Sequence, residues 1–485
     1  MSVMLAFLIN TVFNLIVGLI VAKYLGPSEY GKFALSIAVM TFGQALAFEW
    51  IRQCGVRFYS ERSRHEAHHV RATLDAAFAG FGLLFFPIAL AIAFLGPEFS
   101  LPREFVALAF AASVANGLFD YQTALVRARF DDRLFLRVIG TKNLLGVAMM
   151  AGGAWATGSA KVTLIAGMAS LLGSLLIWRR RLIDPGVALK TADRLLARQF
   201  AGYALPIVAS IVLYQLIPLA NREFAARFYG FAETGKFALA YDLGLRAVQA
   251  IGSALDVLLF QIAVRAHDVH GADHAREQIA RNMAMVFAIM LPACVGLWII
   301  LPSVESLIVP EAYRGPFARF LTLLLPGLFL FSLGQFSVNA VFQIAQKTLP
   351  MVVAALAACV ADIVFVLVLP RGVDASGIAL AQSLSMAVGF VTLVGFAQTT
   401  RPQWPRLRDL ALTIAGSLGM AGLAWPLRAL PPGPGLMCAQ IALGGGFYLV
   451  IVALFDVAGL RRAVVAKAGP VWLSLTKKNG APKAS

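Results

Sequence analysis

Charged residues are scarce in this chain. They make up 14% of its 485 residues, while 59% are hydrophobic; a soluble domain carries about 25% charge. A water-soluble protein of this length needs a charged shell that so few side chains cannot supply. Acidic residues are scarcest, 25 against 41 Lys and Arg. The four cysteines, Cys54, Cys294, Cys359 and Cys438, include no pair at metal-ligand spacing, so neither a disulfide framework nor a zinc site is indicated. The N-terminus lacks a basic segment and a small-residue cleavage site, and the first apolar run reads as a retained helix. No connection is long enough to hold a soluble domain, which argues against a membrane glycosyltransferase or polymerase. No metal, cofactor or enzymatic activity is expected.

What the chain does have is apolar runs near the 17–25 residues that cross a bilayer as a helix. They are predicted at 3–22, 33–51, 76–95, 105–125, 138–157, 162–178, 200–220, 237–259, 283–301, 320–344, 351–369, 377–396, 410–427 and 437–455. The fold class expected is an all-α polytopic membrane protein of about fourteen transmembrane helices. The basic excess tracks the loops. With a cytoplasmic N-terminus, the inner loops collect Arg52, Arg57, Arg62, Arg64 and Arg71, then Arg127, Arg129, Arg133 and Arg137, then Arg179, Arg180 and Arg181. The outer loops hold fewer cations, so both termini are expected in the cytoplasm. That asymmetry accounts for the net charge without a nucleic-acid partner.

The two halves of the chain resemble each other. Ala22-Lys23-Tyr24-Leu25-Gly26 and Gly31-Lys32-Phe33-Ala34-Leu35 return, 204 residues later, as Ala226-Arg227-Phe228-Tyr229-Gly230 and Gly235-Lys236-Phe237-Ala238-Leu239, with Glu29 on Glu233. Pro97-Glu98 matches Pro310-Glu311. Ser113, Asn116, Asp120 and Arg127 match Ser332, Gln335, Asn339 and Gln346 at an offset of 219. Ordered anchors with a slowly growing offset mark an internal duplication. An even number of spans separates the copies, so the repeat is parallel, as suits a transporter whose lobes rock about a central site. The expected domains are an N-terminal lobe 1–198, a C-terminal lobe 199–400, two added helices in 401–457 and a basic cytoplasmic tail 458–485.

Polar groups inside spans face the bundle interior or a wet cavity. Asp242, Arg246, Gln249, Ser253 and Asp256 form one stripe, as do Tyr203, Ser210, Tyr214 and Asn221, and Ser332, Gln335, Asn339 and Gln343. Asn10 and Asn14 mark the first span, and Lys142 and Asp362 are the remaining strong charges. Two readings of Asp242 and Arg246 stand side by side: they line a cavity, or they neutralise each other one turn apart. Lys142 reads as a side chain snorkelling to the inner interface. Asp242, Asp256 and Asp362 are candidates for coupling to an ion. The six histidines fall in two repeat-equivalent loops, where basic interfacial helices account for them better than a metal.

The segments AKYLGPSEYGKFALS, YALPIVASIVLY, GKFALAYDLGLRAVQ and VDASGIALAQSLS resemble Wzx-type polysaccharide and O-antigen flippases of the multidrug/oligosaccharidyl-lipid/polysaccharide (MOP) superfamily. The likeness covers roughly residues 3–396, and the last two spans match the fourteen-helix members. It implies a MATE-like pair of lobes. It also implies a flippase that moves undecaprenyl-pyrophosphate-linked oligosaccharides to the outer leaflet of the bacterial inner membrane by alternating access, for lipopolysaccharide or exopolysaccharide synthesis. On this resemblance Arg246 is the first candidate for the pyrophosphate, with Arg52 and Arg222 at the cavity mouths. Asp242, Gln249, Asn10, Asn14, Tyr214, Asn221, Gln335 and Asn339 are the remaining candidate contacts. A monomer is expected, among membrane lipids, with a polymerase and glycosyltransferases as potential partners. The rival within the superfamily is a cation-coupled multidrug exporter, although the first span lacks the acidic residue those exporters use. From another class, a non-transporting scaffold of a polysaccharide assembly complex would not require aligned polar stripes.

Overall fold

A computed structural model describes the backbone of residues 2–96, 99–345, 347–370 and 372–462, and their side chains except those of residues 2–9, 93, 256–258, 260, 266–268, 270 and 272. Pro97-Glu98, Gln346, Arg371, the side chain of Asp256 and the tail beyond residue 462 lie outside the described residues.

Helices account for the regular structure, and no strand occurs among the described residues. In order they are α1 (Ser2–Ala47), α2 (Glu49–Phe58), α3 (Glu61–Glu66), α4 (His68–Leu95), α5 (Arg103–Ala128), α6 (Asp132–Gly146), α7 (Gly152–Thr157) and α8 (Ala160–Leu182). Next come α9 (Arg194–His270), α10 (Ala272–Ile308), α11 (Pro316–Leu333), α12 (Asn339–Ile344), α13 (Leu349–Val368), α14 (Ser376–Ala397), α15 (Leu407–Ala424) and α16 (Pro434–Phe455). Among the described residues, eleven helical segments are long and apolar enough to cross a membrane. Two of them, Asn10–Ala47 and Arg194–Leu255, run 38 and 62 residues, well beyond one crossing. Each is broken once by a left-handed glycine, Gly26 at φ 69° and Gly230 at φ 83°. A Cβ in that region costs about 1–2 kcal/mol, so glycine is the residue that turns the chain there. The more polar α5, expected as a crossing, is not among the eleven.

The contacts sort into two compact units. The first contains Met1–Ala250, Ile308–Leu328 and Gln346–Leu393. Its aromatic core joins Phe48, Phe78, Tyr121 and Phe200, with Phe48 stacked on Phe78 at 4.7 Å and Phe78 on Tyr121 at 5.6 Å. The second contains Ile251–Leu307, Phe329–Ala345 and the chain from Val394 onward. There α15 and α16 lie against α10 through Met420, Tyr448 and Val452, and the Tyr448 hydroxyl donates to the Ala288 carbonyl at 2.6 Å.

Within the first unit the two repeat copies meet. A Cβ on Gly31 would overlap the Phe231 carbonyl oxygen and lie 3.1 Å from the Gly235 nitrogen. A Cβ on Gly235 would overlap the Pro27 carbonyl oxygen and lie 3.0 Å from the Gly31 nitrogen. Gly31 matches Gly235 and Pro27 matches Phe231 at the 204-residue offset, so the contact is reciprocal. Small residues permit such backbone approach between membrane helices. Each copy carries the same ion pair beside it: Lys32 to Glu29 at 2.6 Å and Lys236 to Glu233 at 2.8 Å. The second oxygen of Glu29 accepts from the Ala160 backbone N–H at 3.0 Å, placing a negative charge at the start of α8.

The loop arginines also build structure. Asp184, fully buried, receives Arg64 at 3.0 Å, Arg129 at 3.1 Å and Arg71 at 3.8 Å, and accepts a hydrogen bond from the Tyr59 hydroxyl. Burial first, then the bond to Asp184, push the Tyr59 phenol far above its ordinary value. One carboxylate thus ties the loop after α2, the end of α5 and the end of α8. Removing one partner of a buried ion group costs about 3–5 kcal/mol. Asp184→Ala is therefore expected to lower the detergent-solubilised melting temperature sharply. Asp273→Ala, which breaks an exposed pair with Arg276, should leave it nearly unchanged. Equal melting temperatures for the two variants would contradict this assignment.

Candidate functional site

The polar residues of the first unit gather around the two kinked helices. On α9, residues 222 and 242 flank the break at Gly230, and the chain reversal brings their side chains together. Arg222, 3% exposed, bonds Asp242 at 2.5 Å and donates to the Ala34 carbonyl at 2.7 Å. Asp242 is therefore neutralised across the kink, and the one-turn pairing of Asp242 with Arg246 is not formed. Arg246 is half-buried and makes no hydrogen bond or ion pair among the described residues. It stands within electrostatic reach of Tyr30 and Lys142.

Lys142 is the residue whose role the sequence concealed. Its ammonium donates to the side-chain oxygens of Asn14 at 3.1 Å and Asn10 at 3.3 Å. Lys142 carries three donors and no acceptor, and two amide oxygens satisfy two of them. The α6 helix carrying it passes into one wide π turn at Val147–Ala151, a feature frequent at functional sites. Further along the same group, Gln44 donates to Asp120 at 2.7 Å and accepts from Asn116. Asp120 also lies within electrostatic reach of Arg52 and Lys142. Arg52 is held by Glu49, with one bond at 2.8 Å, and lies close enough to Arg127 to feel its charge. Sequence reasoning does not place Gln44, Asn116 and Asp120 in the site. The repeat pattern that singles out Asn116 and Asp120 is the available signal for two of them.

The other candidates lie in separate places. Gln249 is exposed. Tyr214 is half-buried and packs beside Cys359 and Ile217. Asn221, fully buried, donates to Asp362 at 3.0 Å and Gln382 at 3.3 Å, while Ser385 donates to the same Asp362 oxygen at 3.1 Å. The second Asp362 oxygen is buried with no hydrogen-bond partner, and so is the Asn221 side-chain oxygen. Gln335 and Asn339 belong to the second unit, where Asn339 donates to Gln335 at 3.2 Å next to a second π turn, Gly334–Val338. Of the coupling candidates, the Asp256 side chain lies outside the described residues. Of the histidines, His65 meets Glu61 at 3.1 Å on the surface.

The first unit thus holds a set of cations: Arg222 and Arg52 paired with carboxylates, Lys142 held by amides, and Arg246 with no hydrogen bond or ion pair among the described residues. Such a set suits an anion bearing several acceptor oxygens, while Asn and Gln nearby suit hydroxyl groups.

Residues 20–314 match the family described as polysaccharide biosynthesis protein. No curated protein matches the chain by sequence. Among solved structures, the lipid II flippase MurJ in an inward closed conformation is 14% identical, with a TM-score of 0.71 over 93% of this chain and 98% of that one. The MATE multidrug transporter DinF-BH is 15% identical, with a TM-score of 0.58 over 83% and 94%. An inward-facing MATE multidrug resistance transporter of the MOP superfamily is 18% identical, with a TM-score of 0.52 over 81% and 95%. The fold is therefore the one these transporters share.

Asp242→Ala leaves the Arg222 guanidinium buried without its carboxylate, at a cost of about 3–5 kcal/mol. Adding Arg222→Met should restore most of the lost thermal stability. A double variant that melts at the sum of the two single losses would show that the pair is not the unit described.

Proposed function

Because the chain belongs to the polysaccharide biosynthesis protein family, we propose that it is a flippase and not an enzyme. Its cargo is a polyprenyl-pyrophosphate-linked oligosaccharide, carried from the cytoplasmic to the outer leaflet of the bacterial inner membrane. The observation that carries this reading is Arg246, a half-buried guanidinium with no hydrogen bond or ion pair among the described residues, within electrostatic reach of Lys142 in helices long enough to span a bilayer. A cation without a partner on a membrane-spanning helix is costly, and a multiply charged anionic ligand supplies the missing charge.

In this reading Arg246 and Lys142 take the pyrophosphate. Asn10 and Asn14 release Lys142 as they meet the sugar hydroxyls, and Arg52 and Arg222 stand at the two ends of the path. The crossing of Gly31 and Gly235 is the barrier on the outer side, with both termini in the cytoplasm and about fourteen crossings in total. The two repeat copies, 1–198 and 199–400, are the lobes that rock, and 401–457 adds a pair of helices. The chain works as a monomer alongside a polymerase and glycosyltransferases. Asp362 is the best placed of the coupling carboxylates, because one of its buried oxygens has no partner and proton uptake would satisfy it.

Deleting the gene should cause lipid-linked sugar intermediates to accumulate on the cytoplasmic side and surface polysaccharide to disappear. A stably inserted Arg246→Ala variant should fail to restore it, with output reduced at least tenfold. Unchanged intermediates with raised drug sensitivity would instead favour multidrug export. Normal polymer from Arg246→Ala would remove Arg246 from the path.

A further inference from the structure

A groove of about 660 Å³ lies in the first unit, walled by α1, α4, α5 and α9. Every residue lining it is apolar except Glu223. Its volume falls in the range of small-ligand sites. Its aromatic wall includes Phe42, Phe81, Phe85, Phe99 and Phe110, with Phe85 edge-on to Phe110 at 5.6 Å. The lining side chains Leu84 and Ile88 are 60% and 49% exposed, so the groove opens on the surface that helices of this hydropathy turn to lipid.

Three features say what fits. The first is length. On α1 the groove runs from Leu35 to Ala47, about 18 Å at 1.5 Å per residue. That is roughly half of a 30 Å hydrocarbon core, too short for a spanning partner helix but matched to a chain lying in one leaflet. The second is charge. Glu223 closes one end, and its carboxylate accepts from the backbone and side chain of Ser100, in the connection before α5, at 2.8 Å each. An anionic phospholipid seated with its headgroup at that end would bring its phosphate to the carboxylate, which repels it. The third is continuity. Arg222 adjoins Glu223 in sequence, and the Ala34 carbonyl it bonds adjoins Leu35 of the groove wall. Arg222, one of the cations of the cluster, thus bonds α1 beside the groove wall.

We propose that this groove holds the head-proximal isoprene units of the transported lipid's polyisoprenoid tail while its pyrophosphate lies at the cationic cluster. The head then sits inside the bundle, away from Glu223, and the unsaturated branched tail meets a phenylalanine wall. This inference rests on the flippase reading for the identity of the lipid.

The test uses the full chain in nanodiscs of phosphatidylethanolamine and phosphatidylglycerol, with a benzophenone-bearing C55 polyprenyl phosphate as photoprobe. Peptide mapping should place the label within residues 81–92 and 216–223. Excess unlabelled polyprenyl phosphate should remove it, and equal phosphatidylglycerol should not. Val39→Trp and Leu219→Trp, which fill the groove, should each lower labelling at least fivefold at unchanged melting temperature. Labelling that phosphatidylglycerol removes equally well, or that maps elsewhere, overturns the proposal. Absent labelling in a protein that still restores surface polymer sinks the groove and leaves the flippase reading intact. Groove labelling in a protein whose deletion leaves polymer unchanged supports the tail site and sinks the flippase reading.

Discussion

The first unit depends on one contact between two glycines. At Gly31 and Gly235 the backbones of the two repeat copies approach so closely that no side chain fits between them. Gly26 and Gly230 make this possible by turning each chain through a left-handed residue just before the crossing. The helix beyond each crossing is thereby positioned. Ala34 comes within reach of Arg222, and the stretch of α9 carrying Asp242 and Arg246 is laid back against the stretch before the kink. Adding a methyl group here costs about 1–3 kcal/mol of overpacking, which the reciprocal contact would incur twice. The neighbouring Lys–Glu pairs are partly exposed and contribute little by themselves. The backbone approach, not the ion pairs, is what fixes the geometry.

Charge in this molecule divides into two kinds. Arg64, Arg71 and Arg129 share Asp184, and Arg222 has Asp242; these groups hold helix ends and kinks in register. Arg246 and Lys142 lack carboxylate partners within hydrogen-bonding reach among the described residues, and Lys142 makes do with two amide oxygens. Arg64, Arg71, Arg129 and Arg222 each have a carboxylate partner, which sets Arg246 and Lys142 apart from them. In the flippase reading an anionic cargo meets these two, and the adjoining apolar groove gives the same cargo a place for its tail.

Much of the architecture was legible in the sequence. Hydrophobic length identified the helical membrane fold, and the 204-residue offset identified the duplication. Similarity between Gly31 and Gly235 says that they are equivalent, however, and not that they touch; adjacency comes from the kinks, which are set by φ angles. The Asp242–Arg246 spacing admitted a local pair because both lie on one helical face. A hairpin across Gly230 offered Asp242 a better partner, one whose buried guanidinium needed it more. The partners of Lys142, Asn14 and Asn10 on α1, could not be read from its own helix, because periodicity does not say which helix packs against it. The stripe of Gln335 and Asn339 was real as a helical face, and its residues bond each other in the second unit. Face membership comes from periodicity, whereas the partner of a face does not.

In the flippase reading the glycine crossing is the barrier between the cation cluster and the outer surface. The direct measurement is labelling of Asn14→Cys, in a background without the four native cysteines, by a membrane-impermeant maleimide applied from outside right-side-out vesicles. With Gly31 and Gly235 intact, labelling should be slow. With Gly31→Val or Gly235→Val it should rise at least fivefold, because the two backbones can no longer close. Equal labelling rates in all three proteins would contradict the account.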